Sequence, residues 1–484
     1  MVYKFHIGRM CVNLLPMSAK VGLWAALFWL SGLLACAPPT SVVLPITAAA
    51  PLPIPTTLAP LSTQTTPFMP TITPSPPPAL TTETIATATP FFQGSPPPAC
   101  GQHLPLFTVE TAAPITSLTP DPEALARLEA IIPQAARPAL RQLLEHPQTV
   151  GLAAYRLGQE ANGVFLNADI PMPLASVVKI IHLVAYAEAV AAGRLNPLSA
   201  VSLAELENHY LPRSDLGAHQ RAVAELTETG RTFATPPQIV LDEVPWLMIR
   251  HSSNAATDYL HRLLGQTAIE QTALSLGLTS QTAPCPFLGQ FLAMSNHVRT
   301  TNNDLLALEA YLADPLFYGQ EVMWLTDAFV TDEQFRADEI AWRADQRRSS
   351  SSTQEFFTAH HNAQGSARDY AALMARLAQN GLSNGESSFI ARRFLEWPMH
   401  FEANQEQFYN LGYKNGRLPG TLTTVYYAYP VTETTPIVIA LFYRDLPNAL
   451  YRDWRNSLPH DELARWLLSD PAALPALHQV INIP

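Results

Sequence analysis

At 484 residues the chain can bury a large core and has room for two domains on length alone. Only 14% of its residues are charged, 48% are hydrophobic, 44 are proline, and the net charge is −11. That balance, with no basic stripe, excludes a nucleic-acid-binding surface. No Cys-x-x-Cys or His-Glu-x-x-His spacing points to a metal or cofactor site. His360 and His361 lie in a polar stretch without ligand partners and read as solvated.

Residues 1–36 read as an export signal. Lys20 precedes the apolar run Val21–Ala35, which is short for a membrane span and has the flanks of a secretory leader. Its end, Leu33-Leu-Ala-Cys36, resembles the lipobox of bacterial lipoproteins, which implies cleavage before Cys36 and a lipid on its thiol. An uncleaved anchor is the alternative. Both place the remainder in the cell envelope, held to the outer face of the cytoplasmic membrane. Met17-Ser-Ala-Lys20 makes a compact basic start, so Met1 and Met17 both stand as starting points.

Residues 37–99 are Pro, Thr, Ser and Ala with hardly a charge. Such a segment cannot bury enough surface to offset its ordering entropy, so it reads as a disordered tether. Cys11 lies in the signal and Cys36 is the lipidation candidate, which leaves Cys100 and Cys285. In an oxidising space these two are expected to form a disulfide; two free thiols are the alternative.

The folded part spans residues 100–484. Asp121–Ile132 reads as an amphipathic helix with an acidic start, and a second helix follows over Ala135–Glu145. Val150–Arg156 and Gly163–Asn167 read as strands across a polar turn. Pro171-Met-Pro-Leu-Ala-Ser176 then leads into an apolar helical run that ends near Gly193. Residues 199–250 read as helix and polar connection. Met248–Leu260 puts Ser252 and Asn254 at the head of a helix ending at Gly265. Thr421–Tyr429 and Pro436–Tyr443, rich in β-branched and aromatic residues, read as paired strands, and Asp461–Leu468 as a late helix.

Three stretches carry chemistry. Ser176 and Lys179 are three apart on one helix face, an arrangement in which an amine takes the proton of a serine nucleophile. The helix N-terminus beneath them offers amides to a developing oxyanion. Ser252-x-Asn254 and Lys414-Asn415-Gly416-Arg417 follow in order. Each residue alone has a plainer reading: Ser176 and Ser252 as helix caps, Asn254 closing a turn, Lys414 as a solvated turn residue.

Taken together, Ser176-x-x-Lys179, Ser252-x-Asn254 and Lys414-x-Gly416 resemble the three motifs of serine β-lactamases and penicillin-binding proteins. Phe165–Ser176 and His251–Thr257 are most similar to class A β-lactamases, and the resemblance covers roughly residues 120 to 470. It implies an α+β, β-lactamase/transpeptidase-like fold: an antiparallel sheet from the N- and C-terminal parts, flanked by helices, with an all-helical subdomain between. It implies no cofactor. Ser176 becomes the nucleophile and Lys179 its base or relay, while Ser252 shuttles a proton to the leaving nitrogen. Asn254 binds an acyl amide, Lys414 supplies positive potential, Asn415 and Gly416 complete the substrate-binding stretch, and the Ser176 and Arg417 amides form the oxyanion hole.

The pattern departs from class A at three places. Ser253 stands where Asp is usual, and Asn415 where a hydroxyl residue is usual. The Glu-x-x-Leu-Asn stretch that supplies the deacylating base is missing, and a long segment of about 266–364 takes its place. Glu321, Glu333, Glu339 and Glu355 lie in that segment, none with the right neighbours. Three functions remain open: a hydrolase of β-lactams or related amides and esters, a D-Ala-D-Ala peptidase acting on peptidoglycan, and an acylatable sensor or wall-binding module.

Overall fold

The computed structural model describes residues 100–104, 113–299, 303–345 and 349–481. Cys11, Cys36, the leader and the tether lie outside the described residues. Two helices, α1 (Pro122–Ile131) and α2 (Arg137–Glu145), open the domain. The Asp121 carboxylate caps α1 by accepting from Ala124 N at 2.8 Å, and Pro122 fills the first helical position, where an N–H has no partner in any case.

Strands β1 (Val150–Arg156), β2 (Val164–Leu166), β3 (Phe408–Leu418), β4 (Thr421–Pro430) and β5 (Ile437–Tyr443) form one antiparallel sheet in the order β2-β1-β5-β4-β3. The two ends of the chain thus share a sheet, as the resemblance implies. Central β5 is covered on both faces, which is why it is apolar at every position rather than alternating. Ile437, Ile439, Leu441 and Tyr443 pack with Leu140, Trp454, Leu467 and Leu474 of the flanking helices. Phe442 points to the opposite face, where Tyr370 meets it edge-on at 6.1 Å. β3 is an edge strand.

Between β2 and β3 the chain is mostly helical. It includes α3 (Lys179–Ala191), α4 (Asn254–Leu264), α5 (Phe287–Met294), α6 (Asp304–Ala313), α7 (Pro315–Thr331), α8 (Glu333–Asp345), α9 (Ser351–His361) and α10 (Ala367–Ala378). A short strand pair, Ala200–Ser202 with Gln238–Val240, interrupts the stretch expected to be helix and connection. The segment 266–364 has an apolar core of its own, built from Leu288, Leu292, Leu308, Val322, Leu325, Phe329 and Phe357. His361 is buried there, not solvated as its polar neighbours suggest: its Nε2 lies 2.8 Å from Leu308 O, and burial pulls it down to about 4.

Cys100 and Cys285 meet in this same cluster, but as two buried thiols and not as the expected bridge. The Cys100 thiol donates to Gly319 O at 3.6 Å. Burial, and the Cys100 thiol beside it, push Cys285 well up.

Helices α5 and α7 cross at Gly289, where a Cβ would lie 2.1 Å from Val322 O and 2.3 Å from Thr326 Oγ1. No side chain fits without separating the helices. Gly289→Ala is therefore expected to cost about 1–3 kcal/mol, read as a lower urea midpoint at unchanged slope. An unshifted midpoint would mean that the crossing is loose.

Candidate active site

Ser176 sits in a tight turn, Ala175–Val178, that runs directly into α3. The sequence pattern predicts α-helix from Ser176 onward; the first turn is instead wound as a 3₁₀-helix, entered from a strained residue. Ala175 has φ +48°, a left-handed conformation that costs a non-glycine residue about 1–3 kcal/mol. Three hydrogen bonds hold it. Ala175 N donates to Asn362 Oδ1 at 2.9 Å, Leu174 N donates to Ala363 O at 2.9 Å, and Thr423 Oγ1 of β4 donates to Leu174 O at 2.9 Å. The Ser176 hydroxyl makes no hydrogen bond to any described residue and is half-buried.

Gly416 lies against this turn. A Cβ there would fall 2.6 Å from Ser176 N and 2.7 Å from Leu174 O, so only glycine lets β3 approach the serine amide. Lys414, Asn415, Gly416 and Arg417 all lie within β3, paired with Val425, Thr424, Thr423 and Leu422 of β4. The Lys-Asn-Gly sequence is therefore strand, not turn. Arg417 is exposed and follows Gly416 on the sheet edge, where an amide can turn toward a ligand.

Lys179, the first residue of α3, is fully buried. Its amine donates to Ser252 O at 2.7 Å and to Asn254 Oδ1 at 2.7 Å, and lies 3.4 Å from Ser252 Oγ. Burial pulls it down to about 7, against the opposing pull of Asp215 and Asp258. Lys414 donates to Ser252 Oγ at 3.1 Å and to Asn415 O at 2.7 Å. Burial, then the positive charges of Lys179 and Arg417, hold Lys414 well below the ordinary lysine range. The Ser252 hydroxyl thus bridges two amines whose protons are easily lost. The Asn254 carbonyl oxygen is taken up by Lys179.

Several supporting residues escape sequence reasoning. Ser252 has φ +65°, which turns its carbonyl toward Lys179. Ser253 caps α4 by accepting from Ala256 N at 3.1 Å, which accounts for a hydroxyl at this position. Its oxygen lies 2.9 Å from His219 Nδ1, whose Nε2 lies 3.1 Å from Glu207. Asp258 accepts from Phe287 N and Leu288 N, both at 2.7 Å, and so fixes the start of α5. Burial pushes Asp258 up to about 7 despite those amides and Lys179. The Phe287 ring then covers Lys179, with Nζ 4.8 Å from the ring centre.

Among the described residues, no carboxylate hydrogen-bonds Ser176, Lys179, Ser252 or Lys414. Glu339 is buried against His297 and Arg343, and Glu355 lies beside Gly420 in the β3–β4 turn. Glu321 lies on α7 and Glu333 opens α8. The described residues also contain no His/Cys/Asp/Glu group able to hold a metal ion.

Residues 135–458 match the family model described as the beta-lactamase enzyme family. The structure is similar to the β-lactamase from Sphaerobacter thermophilus, at 17% identity and a TM-score of 0.43, covering 75% of this chain and 99% of that one. It is also similar to the class A β-lactamase from Mycobacterium abscessus, at 13% identity and a TM-score of 0.38, covering 69% and 98%. For PBP-A the values are 15% and 0.37, covering 71% and 98%. No curated protein matches the sequence. The family match takes in more than half of the chain: it belongs to the beta-lactamase enzyme family, serine hydrolases of β-lactamase/transpeptidase-like fold.

Proposed function

We propose that this hydrolase is acylated at Ser176 by an amide carbonyl, of a β-lactam or of a peptidoglycan peptide, and releases the acyl group slowly. What carries this is the Lys179 amine: buried, pulled down to about 7, and hydrogen-bonded to the Ser252 carbonyl and the Asn254 amide oxygen. An amine that is half neutral at pH 7 can take the Ser176 proton as Oγ attacks the carbonyl carbon. The oxyanion then forms against the Ser176 amide and, beside Gly416, that of Arg417, where each donor is worth about 2.7–4 kcal/mol. As the C–N bond breaks, Ser252 gives its proton to the departing nitrogen and recovers one from Lys414 or Lys179. The product is an ester on Ser176.

Hydrolysis of that ester needs a base to activate water. Phe287, from the inserted segment, covers Lys179, and among the described residues no carboxylate hydrogen-bonds Ser176, Lys179, Ser252 or Lys414. Slow release favours a penicillin-binding or peptidase role over a fast β-lactamase. The lipobox-like Leu33–Cys36 and the tether support export and anchoring at Cys36.

Incubated with benzylpenicillin, the chain is expected to gain one lasting acyl adduct by intact mass, and Ser176→Ala to gain none while its melting temperature stays put. An adduct on Ser176→Ala would assign the nucleophile elsewhere. The acylation rate constant is expected to climb about tenfold per pH unit below 7 and to level off above about 8, because only the neutral Lys179 amine accepts a proton. A flat profile from pH 5 to 8 would remove Lys179 as the base. Cys36→Ser is expected to shift the protein from the membrane fraction to the soluble one; unchanged fractionation would refute the lipid anchor.

A further inference from the structure

Beside the acyl-serine site, a cavity of about 370 Å³ opens between the β3–β4 turn and the inserted helices. Its floor is Arg417, Leu418 and Pro419; α11 (Asn448–Ser457) supplies Arg452 and Arg455, and the facing wall carries Arg213 and Trp342. Arg343 also lines it but is committed, its Nε 2.5 Å from Glu339. Among the described residues Arg213, Arg417, Arg452 and Arg455 have no carboxylate partner. Arg417 and Arg213 donate only to the backbone carbonyls of Arg455 and Arg343, at 3.3 and 3.4 Å. Among the described residues Glu355 is the one acidic side chain on the lining. Four unneutralised guanidiniums therefore face one carboxylate, in a chain whose net charge is −11.

Like charges gathered without counter-charges repel one another, and a ligand that brings opposite charge relieves this. Guanidiniums pair with planar carboxylates through two parallel hydrogen bonds. The position selects the ligand further. Arg417 both follows Gly416, which lies against the Ser176 amide, and forms part of the cavity. A peptide extended along the β3 edge advances about 3.3 Å per residue, and the strand that passes Ser176 at Gly416 continues into the cavity at Arg417 and Leu418.

We propose that this cavity binds carboxylate side chains of an acidic peptide whose carbonyl is presented to Ser176. Its place in substrate recognition rests on the acyl-serine reading above; the binding itself does not.

The test uses the full chain at low salt, with tri-glutamate and tri-glutamine as probes and binding followed by calorimetry. Tri-glutamate is expected to bind at least about tenfold tighter than tri-glutamine, the scale of one or two charge-assisted hydrogen bonds. The affinity is expected to fall with added salt, and Arg452→Gln/Arg455→Gln to lose about tenfold while its benzylpenicillin labelling keeps the wild-type rate. Saturating tri-glutamate is expected to slow that labelling in the wild type and not in the double variant. Equal affinity for the two peptides, or a double variant that binds like the wild type, overturns the proposal. So does binding of inorganic phosphate without tri-glutamate, which would give the guanidiniums to another anion, and so does tri-glutamate binding that leaves labelling untouched. Should penicillin label nothing while tri-glutamate still binds, the acyl-serine reading fails and the anion site stands.

Discussion

One buried amine governs the arrangement of this molecule. Moving an ammonium out of water is costly unless charge or hydrogen bonding compensates it, and Lys179 receives only the Ser252 carbonyl and the Asn254 amide oxygen at close range. Those acceptors hold the nitrogen in place without holding its proton. A carboxylate at the same distance would hold the charge on the nitrogen. Much of the surrounding structure keeps those two oxygens aimed: the left-handed backbone at Ser252, the Ser253 cap, and behind it the buried His219 ring, which reaches out to the exposed Glu207.

The second constraint is steric. Ser176 is reached from one side by β3, and the approach is close enough that Gly416 cannot carry a Cβ. The sheet brings residues near 150 and near 440 into one layer, and its edge strand delivers Lys414 and Arg417 to a turn formed some 240 residues earlier (417 minus 176). At that edge β3 lies against the Ser176 amide on one flank and lines the arginine-rich cavity on the other.

Much of this was legible in the sequence, for identifiable reasons. Strands β4 and β5 follow from runs rich in β-branched and aromatic residues, and β1 and β2 from two short runs across a polar turn. Ser176, Lys179, Ser252 and Asn254 followed from spacing at helix heads, which local sequence encodes directly. Lys414 was harder, because Lys-Asn-Gly carries turn chemistry and only pairing with β4 makes it strand. Asp258, one turn beyond Asn254 on α4, could have been found from helical spacing. Asn362 and Phe287 could not. Asn362 meets Ala175 across 187 residues, and Phe287 reaches Lys179 only because Asp258 fixes the start of its helix. His361 was misread because its neighbours in sequence are polar while its neighbours in space are aromatic.

The hydrogen bond from Ala175 to Asn362 changes what the inserted segment is. It stands in the chain like an addition to a complete enzyme, yet its last residues hold the backbone that leads into Ser176. Excising it to reach a smaller catalyst would remove the clamp along with the excess. A minimal version of this enzyme must keep Asn362 and Ala363 in place, and with them the packed helices α5, α7 and α9 that lead to them.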